Sequence, residues 1–292
     1  MTRAMAGSEL RAFAPAKVNL ALHVTGRQAD GYHLLDSLVV FADMGDRLVL
    51  RRGAGAGIQV SGPQARGVPD GPDNLALRAA LESGARDVAI MLEKHIPAGA
   101  GLGGGSTDAA AVLRVLGHWG MQHPDPLALG ADLPVCMAAR AARMSGIGER
   151  IVPLGGIPPL PAVLVNPGIS LATATVFGAI AGAFAAPIGP VPGFSGVEDC
   201  ARWLRHQRND LEPAARARVP MIGDCLAALD ANGALLARMS GSGASCFGLF
   251  ATNEAAKQAA GTLAVQNPDW WVHAVTLGSA DSSRLVQEPP TA

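Results

Sequence analysis

Residues Pro97 to Ala109 read Pro-Ala-Gly-Ala-Gly-Leu-Gly-Gly-Gly-Ser-Thr-Asp-Ala, and the way they join their neighbours decides the fold. Six of these thirteen residues are glycine or proline. An apolar run from Val88 to Ile96 precedes them, and an alanine-rich helical run from Thr107 to Leu116 follows. Glycine, lacking a Cβ, lets successive backbone N–H groups turn toward an anion. A helix starting at Ser106 or Thr107 adds unpaired N–H groups and the positive end of its dipole. Strand, cradle and helix together make a phosphate-binding element. A flexible linker is the plain alternative for a glycine-rich run, but this run sits tightly between two strongly patterned elements.

Three cradle designs compete. A P-loop needs a lysine directly after its glycines, and none follows here. A dinucleotide fingerprint is met formally by Gly99, Gly101 and Gly104. It also wants an acidic residue about 20 positions on, at the end of a second strand. The residues found there, His123-Pro124-Asp125-Pro126, are turn chemistry. A third design, Pro-x-x-x-Gly-Leu-Gly-Gly-Gly-Ser, is matched residue by residue.

A length of 292 residues suits one large domain or two ordinary ones, and an apolar fraction of 49% supplies a core built from small side chains. The net charge of −1 and the lack of a Lys/Arg block argue against nucleic-acid binding. Cys136, Cys200, Cys225 and Cys246 have no C-x-x-C spacing, so they read as reduced, buried small residues of a cytoplasmic protein. Met1 to Leu10 lacks a signal-peptide core and reads as a disordered extension. No charged residue occurs from Ile151 to Val197, but prolines break that stretch well short of a membrane span.

Ala16 to Val24 alternates as a half-buried strand, with Lys17, Asn19, Ala21 and His23 on its polar side. Asp30-Gly31 is a turn signal. Leu34–Phe41 and Arg47–Arg51 read as two strands joined by a turn at 44–46, and Ile58–Val60 extends the sheet. Pro72-Asp73-Asn74 starts a helix over Leu75–Ser83. Ala142–Ser145 and Arg150–Leu154 form a hairpin. The prolines at 158 to 161 mark a boundary, giving domains 1–157 and 158–292. Beyond it come a strand at Ala162–Asn166 and helices over Thr173–Phe184, Val197–Arg205 and Val219–Leu229. Strands at Leu235–Met239 and Ser245–Phe250, a helix over Glu254–Val265 and a strand at Trp271–Val275 follow. Val286 to Ala292 reads as a frayed tail. Blocks of strands and helices without strict alternation indicate an α+β fold.

Several local groupings could carry chemistry. Lys17 and Asn19 follow Ala14-Pro15-Ala16, small residues that suit a close approach, although two solvated surface residues are the ordinary reading. Tyr32, the single tyrosine, and His33 follow a turn and could stack on a base and read its edge. Asp132, before Pro134, reads locally as a helix cap. Asp108 favours the helix dipole but would repel phosphate, so it should point aside or meet a ribose or a metal-bound water. Ser240 to Ala244 forms a second glycine turn, and two such loops on different domains suggest a cleft closed from both sides.

In order along the chain, Ala14–Leu20, Arg27–His33, Pro97–Ala111, Leu129–Pro134, Asn166–Gly168, Arg208–Glu212 and Met239–Ser245 together resemble the GHMP kinase superfamily. Ala-Pro-Ala-Lys-Val-Asn-Leu with Asp-Gly-Tyr-His points to its branch acting on a cytidine-diphosphate-linked polyol. The stretches Asn74–Val88 and Leu116–Gly130 are shorter than that pattern usually has. The resemblance implies a ribosomal-protein-S5-domain-2-like N-terminal domain and a ferredoxin-like C-terminal domain. It also implies ATP-dependent phosphorylation of the polyol's 2-hydroxyl on the non-mevalonate route to isoprenoid precursors.

Residue roles follow from the same likeness. Lys17 and Asp132 would be catalytic. Pro97, Gly99, Ala100, Gly101, Leu102, Gly103, Gly104, Gly105, Ser106 and Thr107 would wrap the ATP phosphates, with Asn74 near the adenosine. Tyr32 and Phe177 would sandwich cytosine, with His33 on its polar edge and Thr173 nearby. Asn19, Asp132, Gly241, Ser242 and Gly243 would border the polyol. Mg2+ would arrive with ATP, Ser106 being the candidate protein ligand. The expected partner is a small molecule, neither nucleic acid nor membrane, for a monomer or weak homodimer. Homoserine- or mevalonate-type kinases of the same superfamily, a nicotinamide oxidoreductase and a non-catalytic nucleotide binder are the alternatives.

Overall fold

The computed structural model describes residues 9–29, 31–180, 184 and 186–288. The chain opens with two long strands, β1 (Glu9–Arg27) and β2 (His33–Arg52), then β3 (Gly57–Ser61), α1 (Leu75–Glu82) and β4 (Val88–Glu93). The cradle helix α2 (Gly104–His118) follows, with the short helices α3 (Pro126–Leu129) and α4 (Leu133–Ala138) and the hairpin β5 (Ala142–Gly146) and β6 (Arg150–Pro153). Next come β7 (Leu160–Asn166), α5 (Thr173–Phe177), α6 (Val197–Leu204), α7 (Glu212–Arg218) and α8 (Met221–Ala231). The chain ends with β8 (Leu236–Met239), β9 (Cys246–Leu249), α9 (Asn253–Gln266), β10 (Trp271–Gly278), α10 (Ser282–Leu285) and β11 (Val286–Gln287).

One sheet runs β11-β1-β2-β10-β7-β9-β8. β2 is its hub. One edge pairs with β1 throughout; the other is shared by β5 (residues 35–39), β10 (41–42) and β4 (47–52). That sharing explains why 33–52 is one strand rather than the expected two with a turn at 44–46. Gly45 is what lets the strand continue: a Cβ there would lie 2.1 Å from the Ala14 carbonyl oxygen and 2.7 Å from Pro15 Cα. Both neighbours are backbone and cannot give way. Gly45→Ala is therefore expected to lower stability by about 1–3 kcal/mol, as overpacking does, read as a lower urea midpoint at unchanged m-value.

Helix α1 starts where expected, because the Asn74 side chain accepts from Ala76 N (2.9 Å). Helix α2 starts at Gly104, earlier than Ser106, with Gly103 in the left-handed region as its N-cap. Its Ala109 to Leu113, Val115 and Leu116 are buried against the sheet and α1. Each large side chain among them contributes ~1.5–3 kcal/mol. The C-terminal helices α7, α8 and α9 cover β7, β8 and β9 with a second apolar cluster.

Other expectations need correction. Lys17, Asn19 and His23 are buried, so β1 is covered on both faces rather than half-solvated. Glu9 and Leu10 belong to β1, and Val286-Gln287 pairs with it as β11, so neither end is loose at those residues. Residues 1–8, 289–292 and Asp30 of the expected turn lie outside the described residues. The helix expected over Thr173–Phe184 stops at Phe177, with 181–183 outside the described residues. Helix α7, with a proline and two arginines in seven residues, had no apolar period to announce it. The four cysteines are free and buried, as expected. No helix among the described residues is long and apolar enough to cross a membrane.

Candidate active site

The chain crosses near the sheet centre so that β1, the 97–106 loop, the start of α4 and the 240–243 turn meet around one cleft of about 860 Å3. Lys17 reaches it from the bulge between Pro15 and Lys17 in β1, where its N–H donates to the Leu102 carbonyl (2.9 Å). Asp132 sits at the N-cap of α4 but makes no side-chain cap bond. Its carboxylate instead accepts from Lys17 Nζ at 2.7 Å, with the lysine side chain 5% exposed and the aspartate 34%. Two residues 115 apart in sequence thus form one charged pair at the cleft.

The glycine-rich 97–106 loop is held from the other half of the chain. Ser240 Oγ donates to the Gly101 carbonyl (3.0 Å) and accepts from Asn19 N (3.1 Å), while Ser245 N donates to the Ala100 carbonyl (3.0 Å). Gly101, at φ +74°, leaves no room for a side chain: a Cβ would lie 2.5 Å from the Ser240 carbonyl oxygen. Thr107 N is bonded to the Gly103 carbonyl (2.8 Å), and no side chain caps the helix. Among the described residues the N–H groups of Gly104, Gly105 and Ser106 are thus left as the free donors of the first turn, and these residues line the cleft.

At the far end of the cleft, the His33 ring lies 5.2 Å from Phe177 with a 33° tilt. Tyr32 is exposed beside it. Burial, then the Arg27 charge, pushes the His33 pKa down, which favours the neutral imidazole. Thr173 and Ser242 share a hydrogen bond (2.9 Å) across the cleft. Asn19 Nδ2 donates to Ser37 Oγ (2.7 Å), leaving its buried Oδ1 without a partner among the described residues.

Beneath the cradle lies a group that sequence reasoning missed. Lys94 Nζ bonds Asp108 Oδ2 (2.7 Å) and Asp46 Oδ2, while Asp46 Oδ1 accepts from His95 N (2.5 Å) and Ile96 N (2.9 Å). All three side chains are buried. Asp108 therefore points aside, into the core, and is not placed for a ribose or a metal-bound water. A lysine ending an apolar strand was the available signal.

Of the expected site residues, the structure brings Lys17, Asn19, Tyr32, His33, Gly99, Ala100, Gly101, Gly103, Gly104, Gly105, Ser106, Asp132, Thr173, Phe177, Gly241 and Ser242 to the cleft wall. Leu102 and Thr107 are buried instead, Thr107 Oγ1 donating to the Gly104 carbonyl (2.9 Å). Asn74 is occupied as a cap and donates to the Pro69 carbonyl (2.7 Å). Pro97 and Gly243 do not line the cleft. Arg27, Leu75, Met144 and Ile147 line the cleft without having been singled out.

Comparison with known proteins agrees with this architecture. Residues 65–146 match the family model for the GHMP kinases N terminal domain, and residues 194–266 match that for GHMP kinases C terminal. The chain is 57% identical over 274 residues to the 4-diphosphocytidyl-2-C-methyl-D-erythritol kinase of Dinoroseobacter shibae, covering 92% of this chain and 96% of that one. It is 52% identical to the protein of the same name from Paracoccus denitrificans, over 92% of this chain and 97% of that one. A crystal structure of 4-(cytidine 5'-diphospho)-2C-methyl-D-erythritol kinase superposes with TM-score 0.74 at 36% identity, over 92% of this chain and all of that one. A homoserine kinase from Cytophaga hutchinsonii shares the fold at TM-score 0.63 and 18% identity. The chain belongs to the GHMP kinase superfamily, and within it to the family of the 4-diphosphocytidyl-2-C-methyl-D-erythritol kinases.

Proposed function

We propose that the protein transfers the γ-phosphoryl group of ATP to the 2-hydroxyl of 4-diphosphocytidyl-2-C-methyl-D-erythritol, on the non-mevalonate route to isoprenoid precursors. The carrying observation is the 2.7 Å Lys17–Asp132 pair, set in the same cleft as a glycine cradle and an aromatic–histidine corner. Phosphoryl transfer asks a protein mainly for positioning and for charge stabilisation. The free N–H groups of 104 to 106 grip the phosphates. Asp132 accepts the proton of the attacking hydroxyl. Lys17 holds that carboxylate in place and faces the charge of the moving phosphoryl group. The unpartnered Asn19 Oδ1 offers an acceptor for a polyol hydroxyl. Tyr32, Phe177 and the neutral edge of His33 suit cytosine.

Mg2+ fits this site only as a companion of the nucleotide. No group of three metal-binding side chains occurs among the described residues, and Asp108 is committed to Lys94. The triphosphate oxygens would hold the ion, with Ser106 as the protein oxygen at the cleft. Held there, the ion would supply charge neutralisation to the triphosphate.

Residues 1–157 and 158–292 form the two lobes of this reading, in a cytoplasmic enzyme with a small-molecule partner that works as a monomer or weak homodimer.

Two measurements test the reading. ATP turnover should appear only when the cytidyl substrate is supplied. Cytidine 5'-diphosphate at 100 times its Kd should stabilise the fold by about 2.7 kcal/mol, raising Tm, while homoserine and mevalonate leave it unmoved. Protection by homoserine or mevalonate instead would transfer the protein to another branch of the superfamily.

A further inference from the structure

His33 is a group at the aromatic corner able to tell a base edge by hydrogen bonding, so its orientation matters. Among the described residues no hydrogen bond holds either ring nitrogen. Packing alone sets the ring: Phe177 lies 5.2 Å away at a tilt, and Phe184 meets it edge-on at 6.2 Å with an interplanar angle of 74°. Phe184 is 44% exposed, an unusual position for a large apolar side chain on a tertiary contact.

The backbone just beyond Phe184 is tied down at two points. The Ala186 carbonyl accepts from Arg208 Nη2 (3.0 Å) and lies 3.1 Å from His23 Nδ1. Ile188 N donates to Asp36 Oδ2 (2.7 Å), and Arg143 grips the same carboxylate through two bonds of 2.8 and 2.6 Å. Arg143 also donates to the Ile188 carbonyl. His23 and Asp36 are buried. Four polar side chains thus fix the course of the chain two and four residues after an exposed phenyl ring.

We propose that Phe184 is a positioning residue for base recognition: it packs edge-on against His33, a second ring contact beside that of Phe177, and aims the imidazole edge at the base. This inference rests on the cytidyl reading above. Phe184 touches the imidazole and acts through it. The groups facing His33 are Arg27 on β1, the neighbouring Tyr32, and the two phenyl rings. The stretch from Ile151 to Val197 carries no charged residue and no histidine, so removing Phe184 changes packing and hydration at the imidazole without changing any charge.

The test compares the full-length protein with Phe184→Ala and Phe184→Leu. Cytidine 5'-diphosphate and uridine 5'-diphosphate are titrated calorimetrically, and the His33 ring protons are followed by NMR against pH. An edge-to-face ring pair is worth about 2–10-fold in an equilibrium constant. Phe184→Ala is expected to weaken the cytidine ligand by about that factor and to narrow its advantage over the uridine ligand equally. The His33 titration midpoint should rise as water reaches the ring. Phe184→Leu should restore most of both effects, and the ATP dissociation constant should not follow either variant. Wild-type affinity, preference and His33 titration in Phe184→Ala would overturn the inference. A wild-type protein that binds the two diphosphates equally would overturn the cytidyl reading itself, while the NMR comparison still decides whether Phe184 shields His33.

Discussion

Asp132→Ala is expected to cut turnover by ~10²–10⁴-fold, the usual contribution of a positioned general base, while ATP and cytidyl ligands still bind. Binding survives because the cradle donors are backbone N–H groups of 104 to 106, which do not depend on the Asp132 side chain. Lys17, 5% exposed, loses its carboxylate in this variant and stays beside the proposed phosphate site, so nucleotide affinity should hold or increase. Asp132→Asn keeps the shape and should lose turnover to a similar degree. Single-turnover kinetics beside equilibrium titration separates the two effects. Turnover equal to wild type in both variants would remove the base assignment.

The second large effect concerns stability. Lys94→Met should cost about 3–5 kcal/mol, as breaking a buried ion pair from one side does, measured by urea unfolding at pH 7. Lys94 stands between two buried carboxyl groups, and the proton inventory shapes the penalty. Burial, then Asp46, pushes Asp108 up to about 8 against the pull of the Lys94 ammonium. Burial also works against that ammonium, but Asp108 and Asp46 outweigh it and raise its pKa. The two carboxyl groups share one ammonium, and the variant leaves both without it. Replacing Lys94, Asp46 and Asp108 together by Met, Asn and Asn should recover most of the loss, because no charge is then left unpaired.

The same group sets a pH dependence of definite sign. Unfolded Asp108 titrates near its ordinary value of 3.8, well below its folded value. Between those two values the native state holds the extra proton, so stability falls as pH rises. This contribution is complete below about pH 4 and is lost as pH passes through about 8. Asp108→Asn should flatten that part of the urea-midpoint profile.

Much of this molecule is legible in its sequence, for reasons that differ by region. The cradle could be read because glycine spacing and helix onset are local matters. Lys17 and Asp132 are different. Nothing near Asp132 distinguishes a cap from a base, and only the family likeness pairs it with a lysine 115 positions away. The Asp46–Lys94–Asp108 cluster escaped because its members lie on β2, after β4 and on α2, with no local signal that they converge. The supposed turn at 44–46 misled because Met-Gly-Asp looks like a break. There the glycine serves a crossing backbone and the aspartate serves the core. Phe184 could not be valued from sequence, since its worth depends on which ring stands opposite.

The two glycine-rich turns brace each other: the 240–245 turn donates to carbonyls of the 97–106 loop, and the backbone of Ser240 and Gly243 packs so close to Gly101 that no side chain fits there. The proposed nucleotide grip is therefore joint property of both halves of the chain. Neither half could be lent to another protein with its hold on a triphosphate intact, and recombination that swaps one lobe must bring compatible partners for the other.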